Sequence, residues 1–201
     1  MGWLEDAVRS PLAELGFRKR ANGIFTMDLE SDVLGWLGLN RASEHQAPGR
    51  FEVNPVVGIR LQRVERDVAR LTSQPFHQYI PPSVSSPLGY LMPGARYHAW
   101  ELEAPDGPPA AARSMADAVR DYGLSFIRTN STPEAVAQLL DRRRLEQPEV
   151  FRIAVILAFS RRLEDATALV TAAVERLGPR ADAAAANLRN FAKAFETAPP
   201  E

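Results

Sequence analysis

The apolar positions of the chain begin at helical spacing, pass to alternation, and return to helical spacing for the second half. Trp3, Leu4, Val8, Leu12 and Leu15 fall mostly three and four apart and predict a first helix, kinked at Pro11 and ended by Gly16. Phe25, Met27 and Leu29 then alternate with Thr26 and Asp28, which predicts a strand with one buried and one wet face. Ala21-Asn22-Gly23 supplies the tight turn that leads into it, because an Asn-Gly pair accepts positive φ angles. Residues 33–39 are apolar on both faces apart from Gly35 and Gly38 and read as a central strand. After a polar loop over residues 44–50, Phe51, Val53, Val57 and Ile59 alternate with Glu52, Asn54 and Gly58. Pro55 has no N–H to give to a ladder, so this strand is expected at an edge or a bulge.

Leu61, Val64, Val68 and Leu71 predict an amphipathic helix with Arg63, Arg66 and Arg70 as its outer stripe. Residues 74–87 follow without any regular period and carry Phe76, His77, Tyr79 and Ile80 among prolines. Met92-Pro93-Gly94-Ala95 suits a type II turn and predicts a second hairpin whose return strand spans residues 97–102. Beyond Asp106-Gly107-Pro108-Pro109 the pattern is helical, with a helix over residues 111–122 closed near Gly123. Ser131-Thr132-Pro133-Glu134 combines a capping box with proline at the first helical position and opens the next one. A helix pair over residues 150–161 and 163–177 follows, ended by Gly178-Pro179, and Leu188, Phe191, Ala192 and Phe195 form the stripe of a last helix. One such pair does not make a solenoid, which needs about three stacked repeats. The fold class expected is α+β: an antiparallel sheet of about five or six strands flanked by helices, followed by a helical C-terminal portion. Residues 1–104 are expected to hold the sheet and its packing helices, and residues 105–201 the helical portion, packed on the same domain.

Composition narrows the partners. Apolar residues make up 45% and charged residues 24%, as in ordinary globular domains. Against 24 Lys and Arg stand 25 Asp and Glu, so no whole-chain field pulls the protein onto nucleic acid or an anionic membrane. Lys19 and Lys193 are the only lysines, a skew expected of a GC-rich bacterial genome. The opening MGWLEDAVRS has no basic region followed by an apolar stretch, and Asp6 stands where a myristoylation signal wants Ser or Thr. The longest apolar run, residues 153–159, is far short of the roughly 20 residues that cross a bilayer. A cytoplasmic protein without membrane affinity, monomeric or dimeric, is the expectation.

Candidate chemistry is sparse. The chain has no cysteine, which removes disulfides, thiolate metal sites and cysteine nucleophiles. His45, His77 and His98 lack the short-range partners of a helical zinc motif, and His98 shares strand parity with Trp100, which favours packing over metal ligation. Asp28, Glu30 and Asp32 alternate like the opening of a calcium loop, but the glycine and glutamate that complete one are missing. Glu101 and Glu103 lie on one side of an extended segment without the lysine that commonly accompanies nuclease carboxylates. No serine stands in a nucleophile-elbow pattern, and Gly35-Trp36-Leu37-Gly38 has neither dinucleotide-loop spacing nor a phosphate-loop lysine. The runs Arg18-Lys19-Arg20 and Arg142-Arg143-Arg144 read as solvated surface rather than as a nucleic-acid contact. Neither catalytic residues nor a cofactor or metal site are expected.

Several short motifs carry a resemblance. Leu15-Gly16-Phe17-Arg18-Lys19, Gly23-Ile24-Phe25, Phe51-Glu52-Val53-Asn54, Trp100-Glu101-Leu102 and Tyr122-Gly123-Leu124-Ser125-Phe126, with the capped helix at Thr132, follow one another over residues 1–140. In this order the chain resembles the bacterial family known as domain of unknown function 4304. The resemblance implies an α+β fold and carries over no catalytic residue; small bacterial proteins of this appearance include immunity proteins encoded beside toxins. The expectation is a non-catalytic module that binds another protein, an immunity or accessory factor, through Phe76, His77, Tyr79 and Ile80. The alternative is a small-molecule sensor whose pocket lies between sheet and helices near Trp36 or Trp100.

Overall fold

The computed structural model describes residues 3–21, 23–30, 32–41, 50–103, 109–141 and 147–200. Asn22, His45 and the run Arg142-Arg143-Arg144 lie outside them. Helix α1 (Trp3–Glu14) runs through Pro11 as one element and leads into Gly16, whose φ of +91° lets the Phe17 N–H return to the carbonyl of Leu12 at 3.0 Å. Strands β1 (Arg18–Ala21), β2 (Ile24–Glu30), β3 (Val33–Arg41) and β4 (Arg50–Leu61) follow as a meander. With β5 (Val84–Pro87) and β6 (Trp100–Glu103) they make a six-stranded antiparallel sheet in the order β1-β2-β3-β4-β5, with β6 also on β4. The α+β class expected from periodicity is the class observed, and β3 is central as its two apolar faces require.

Two strand expectations are corrected. β4 is not an edge: β3 takes one side of it, while β6 pairs with residues 50–53 and β5 with residues 56–59. Pro55 sits with Asn54 in the gap between those two pairings, where no strand on that side demands an N–H, so proline is tolerated inside a central strand. The side chain of Asn54 fills the gap by donating to the His98 carbonyl at 2.9 Å. The second hairpin does not form either. Gly94 adopts the φ of +90° that the turn needs and the Ala95 N–H reaches the Met92 carbonyl at 3.0 Å, but a short 3-10 turn (Leu88–Tyr90) precedes it and both flanking strands pair with β4 instead of each other. β5 itself, bounded by Pro82 and ending on Pro87, lies inside the segment read as irregular; four residues between prolines are too few to show a period.

One face of the sheet is buried under helices. Phe25, Leu37, Val53, Val57, Trp100 and Leu102 join Val8 and Leu12 of α1 and Met115, Val119 and Ile127 in a single apolar cluster. The latter three come from a run that starts as α3 (Pro109–Ala118), widens into a π turn (Val119–Gly123) and continues as α4 (Leu124–Thr129). The helix expected to close near Gly123 therefore passes through it. A Cβ at Gly123 would stand 3.1 Å from a Val57 methyl, so this glycine allows the helix to approach the sheet rather than ending it.

Helices α5 (Pro133–Asp141), α6 (Gln147–Phe159), α7 (Leu163–Leu177) and α8 (Ala183–Thr197) complete the chain. Thr132 caps α5 by accepting from the Ala135 N–H at 3.2 Å, with Pro133 at the first position as expected. The Ser131–Glu134 box does not form, since the Ser131 hydroxyl donates to the Arg128 carbonyl. Asp182 caps α8 by accepting from Ala185, and that bond, with Arg180 behind it, holds its carboxyl below the usual range.

Every described strand lies before residue 104 and only helices follow it, yet the compact units do not divide there. Residues 1–60 and 79–131 form the first, with the sheet; residues 61–78, which include α2 (Gln62–Leu71), and 132–201 form the second. Within the second, Phe151 and Phe191 stack at 4.3 Å and Phe191 and Phe195 at 5.8 Å. There Glu65 of α2 accepts two hydrogen bonds from Arg152 of α6, at 2.7 and 3.1 Å, in a nearly solvent-free bidentate pair.

Candidate functional site

The four residues expected at a partner site, Phe76, His77, Tyr79 and Ile80, are distributed over both units. Phe76 and His77 belong to the helical unit and Tyr79 and Ile80 to the sheet unit, so each pair is described within its own.

In the sheet unit, alternation puts Thr26 and Trp36, directly opposite in the β2–β3 register, on the face turned away from Phe25 and Leu37. Two flat contacts order this face. The Trp36 ring covers Gly38, where a Cβ would fall 2.3 Å from the indole, so the second glycine of β3 makes room for the tryptophan. Arg20 of β1 donates from Nε to the buried Thr26 hydroxyl at 2.8 Å and lays its guanidinium 4.9 Å from the centroid of the Tyr79 ring. Asp28 steadies the same cation and Arg18 at 3.8 and 3.5 Å. Residues 79–83 lie across this face by their backbone. The Trp36 indole N–H donates to the Tyr79 carbonyl at 2.8 Å, the buried Arg60 donates to the Pro81 carbonyl, and the Ser83 N–H bonds the Ile59 carbonyl at 2.8 Å. The Ile80–Pro81 peptide is cis. With the backbone held, the Ile80 side chain is left 44% exposed and Tyr79 half-buried.

These contacts predict a local effect. Trp36→Phe removes both the donor to Tyr79 and the outer indole atoms that lie over Gly38, which should lower stability by about 1–3 kcal/mol. Amide exchange at Ile80 is expected to accelerate; unchanged exchange in the variant would show that the indole N–H does not hold the segment.

In the helical unit, Phe76 is 37% exposed and the guanidinium of Arg66 lies 5.3 Å from its ring centroid. His77 is exposed, and the Gln62 side chain donates to the Gln78 carbonyl at 2.9 Å.

The other candidate groups fall into packing and surface roles. His98 packs edge-on to Trp100 at 4.3 Å, and Trp100 is buried in the apolar cluster with its indole N–H 3.3 Å from the Ser114 hydroxyl. Glu101 stands opposite Glu52 in the β4–β6 register. Glu52 accepts the Tyr97 hydroxyl at 2.8 Å, and that hydrogen bond holds the phenol above its usual range. Among the described residues no group of three His, Cys, Asp or Glu could hold a metal ion. A cleft of about 480 Å³ between α1 and α3 is lined by Ser10, Pro11, Glu14, Arg113, Asp117 and Arg120 among others, and includes neither Trp36 nor Trp100. Among the described residues no helix is long and apolar enough to cross a membrane. Comparison of the chain with protein-family models, with curated proteins and with solved structures gives no match.

Arg20, Thr26 and Trp36 were not foreseen as a group. The basic run of β1 reads in sequence as solvated charge, and the contact of Trp36 with Tyr79 spans 43 residues. The alternation of β2, which pairs Thr26 with the wet face, was the one available hint.

Proposed function

We propose that this chain is a non-catalytic protein-binding module of bacterial origin, an immunity or accessory factor of the type the domain-of-unknown-function 4304 resemblance suggests, acting in the cytoplasm. One observation carries the reading: in residues 79–83 the backbone is held by Trp36, Arg60 and Ile59 while Ile80 and part of Tyr79 face solvent. An apolar side chain on a pre-ordered backbone loses little conformational freedom when a partner covers it, which is the usual condition of an aromatic or aliphatic hot spot.

The test is cross-linking in cells that make the protein, followed by reconstitution of the captured complex from purified components. Tyr79→Ala should leave thermal stability within a few degrees, because Trp36 holds the backbone carbonyl and not the ring, while weakening the complex by about 1 kcal/mol or more. A sharp fall in melting temperature, or a complex indifferent to the substitution, would return Tyr79 to a purely structural role. Failure to reconstitute any complex would sink the protein-binding reading as a whole.

A further inference from the structure

The cleft between α1 and α3 lies wholly within the sheet unit and takes one stripe of residues from each helix. On the α1 side three oxygen acceptors stand open. Pro11 has no N–H to return to the Ala7 carbonyl four residues earlier, so that carbonyl lacks its usual helical donor. Among the described residues the hydroxyls of Ser160, Thr167 and Thr197 each donate to the carbonyl four residues back, and that of Ser10 makes no such bond. Glu14, the third acceptor, meets no cation among the described residues. A helical carbonyl points toward the C-terminus and a helical side chain leans toward the N-terminus, so the Ala7 carbonyl and the Glu14 carboxylate both approach the level of Ser10 and Pro11. Across the cleft Arg120 is committed to Asp117 at 2.7 Å and to Asp121 at 2.9 Å, whereas Arg113 has no ion pair among the described residues. Glu14 and Arg113 therefore line one cleft with opposite charge and do not pair with each other.

We propose that this cleft binds a small zwitterion of the amino-acid class, its ammonium held by Glu14, Ser10 and the Ala7 carbonyl and its carboxylate by Arg113. The groups match in number. An ammonium has three N–H donors for the three acceptors of α1, and a carboxylate has two oxygens that suit the planar fork of a guanidinium. Charge selects the same occupant. The lining carries two arginines and two carboxylates, so a bare anion or a bare cation gains little from the cleft as a whole, while a ligand with both charges meets an open group at each end. Ala7, Pro11, Leu15 and Ala116 supply apolar surface for a short side chain, and the volume of about 480 Å³ falls in the usual range of small-molecule sites, about 300–1,000 Å³. This cleft includes none of residues 79–83, so the proposal goes beyond the protein-binding reading and does not depend on it.

The experiment titrates the full-length, isotope-labelled protein with L-alanine and, separately, with acetate and with ethylammonium, each of which carries one half of the zwitterion's charge. L-Alanine should give saturable shifts in the amides of α1 and α3, and each half-ligand should bind about tenfold more weakly or worse. Glu14→Gln and Arg113→Gln should each weaken L-alanine about tenfold, whereas Arg9→Gln should change it by less than about twofold, since Arg9 is answered by Asp6 at 2.9 Å and does not line the cleft. Pro11→Ala supplies the missing N–H to the Ala7 carbonyl and should weaken binding about threefold or more, a loss that surface charge alone does not produce. Unchanged circular dichroism certifies the fold of each variant. No saturable shift, shifts centred outside the two helices, or a half-ligand that binds as well as L-alanine would each overturn the proposal. So would equal losses for Arg9→Gln and Arg113→Gln, or full affinity in Pro11→Ala.

Discussion

Glu65→Ala is expected to destabilise the protein by about 3–5 kcal/mol, the usual loss when one member of a buried ion pair is removed and the other is left charged. Glu65 and Arg152 are only 5% and 11% exposed, and both carboxylate oxygens are engaged at 2.7 and 3.1 Å. Truncation leaves the guanidinium without its counter-charge, with only the Pro148 carbonyl at 3.4 Å to accept from it, in a site that is 11% exposed. The double variant Glu65→Leu with Arg152→Met should recover most of the loss, since two apolar side chains of similar size carry no desolvation penalty. Urea denaturation measures both. If the single and double variants were equally unstable, packing around the pair, and not the stranded charge, would account for the effect.

Gly58→Val should also be damaging, for a different reason. A Cβ at position 58 would lie 2.5 Å from the Val84 carbonyl oxygen, 3.0 Å from the Ser85 Cβ and 3.2 Å from the Pro82 Cβ. The first of these is backbone and cannot rotate away, so β5 must leave β4, with a loss of about 1–3 kcal/mol or more. Residues 79–83 run directly into β5, so the variant should also release Ile80 and Tyr79 from the sheet face. Consecutive amides of an edge strand face opposite ways, so faster exchange at whichever of Ser85 and Ser86 donates into β4 would register the separation; native exchange there would mean that the strand pair absorbs the extra carbon.

How far sequence carried the fold depended on whether the deciding contact was local. Gly16 and Gly178 adopt the positive φ angles expected of helix-terminating glycines, and Thr132 and Pro133 open α5, because each of these features is settled within one turn of chain. Pro55 and Gly123 misled for the opposite reason. Proline and glycine ordinarily mark an edge and a helix end, but here a gap between β5 and β6 excuses the proline, and close approach of Val57 requires the glycine. The candidate site divides along the same line. Apolar residues in a proline-rich stretch drew attention to Phe76, Tyr79 and Ile80 directly. The groups that hold their surroundings, Trp36, Arg60, Arg20 and Arg66, are revealed only by contacts across the fold.

The interleaved units bear on the order in which the protein is made. Glu65 leaves the ribosome 87 residues ahead of Arg152, an interval of roughly 4 to 17 s at common rates of synthesis. During that time α2 exists without α6, its carboxylate unanswered and its apolar stripe uncovered, while the segments of the sheet unit are still being added up to residue 131. The second unit is therefore obliged to assemble late, from a helix synthesised early and held in waiting, and a nascent chain stalled before residue 152 would present that helix to chaperones.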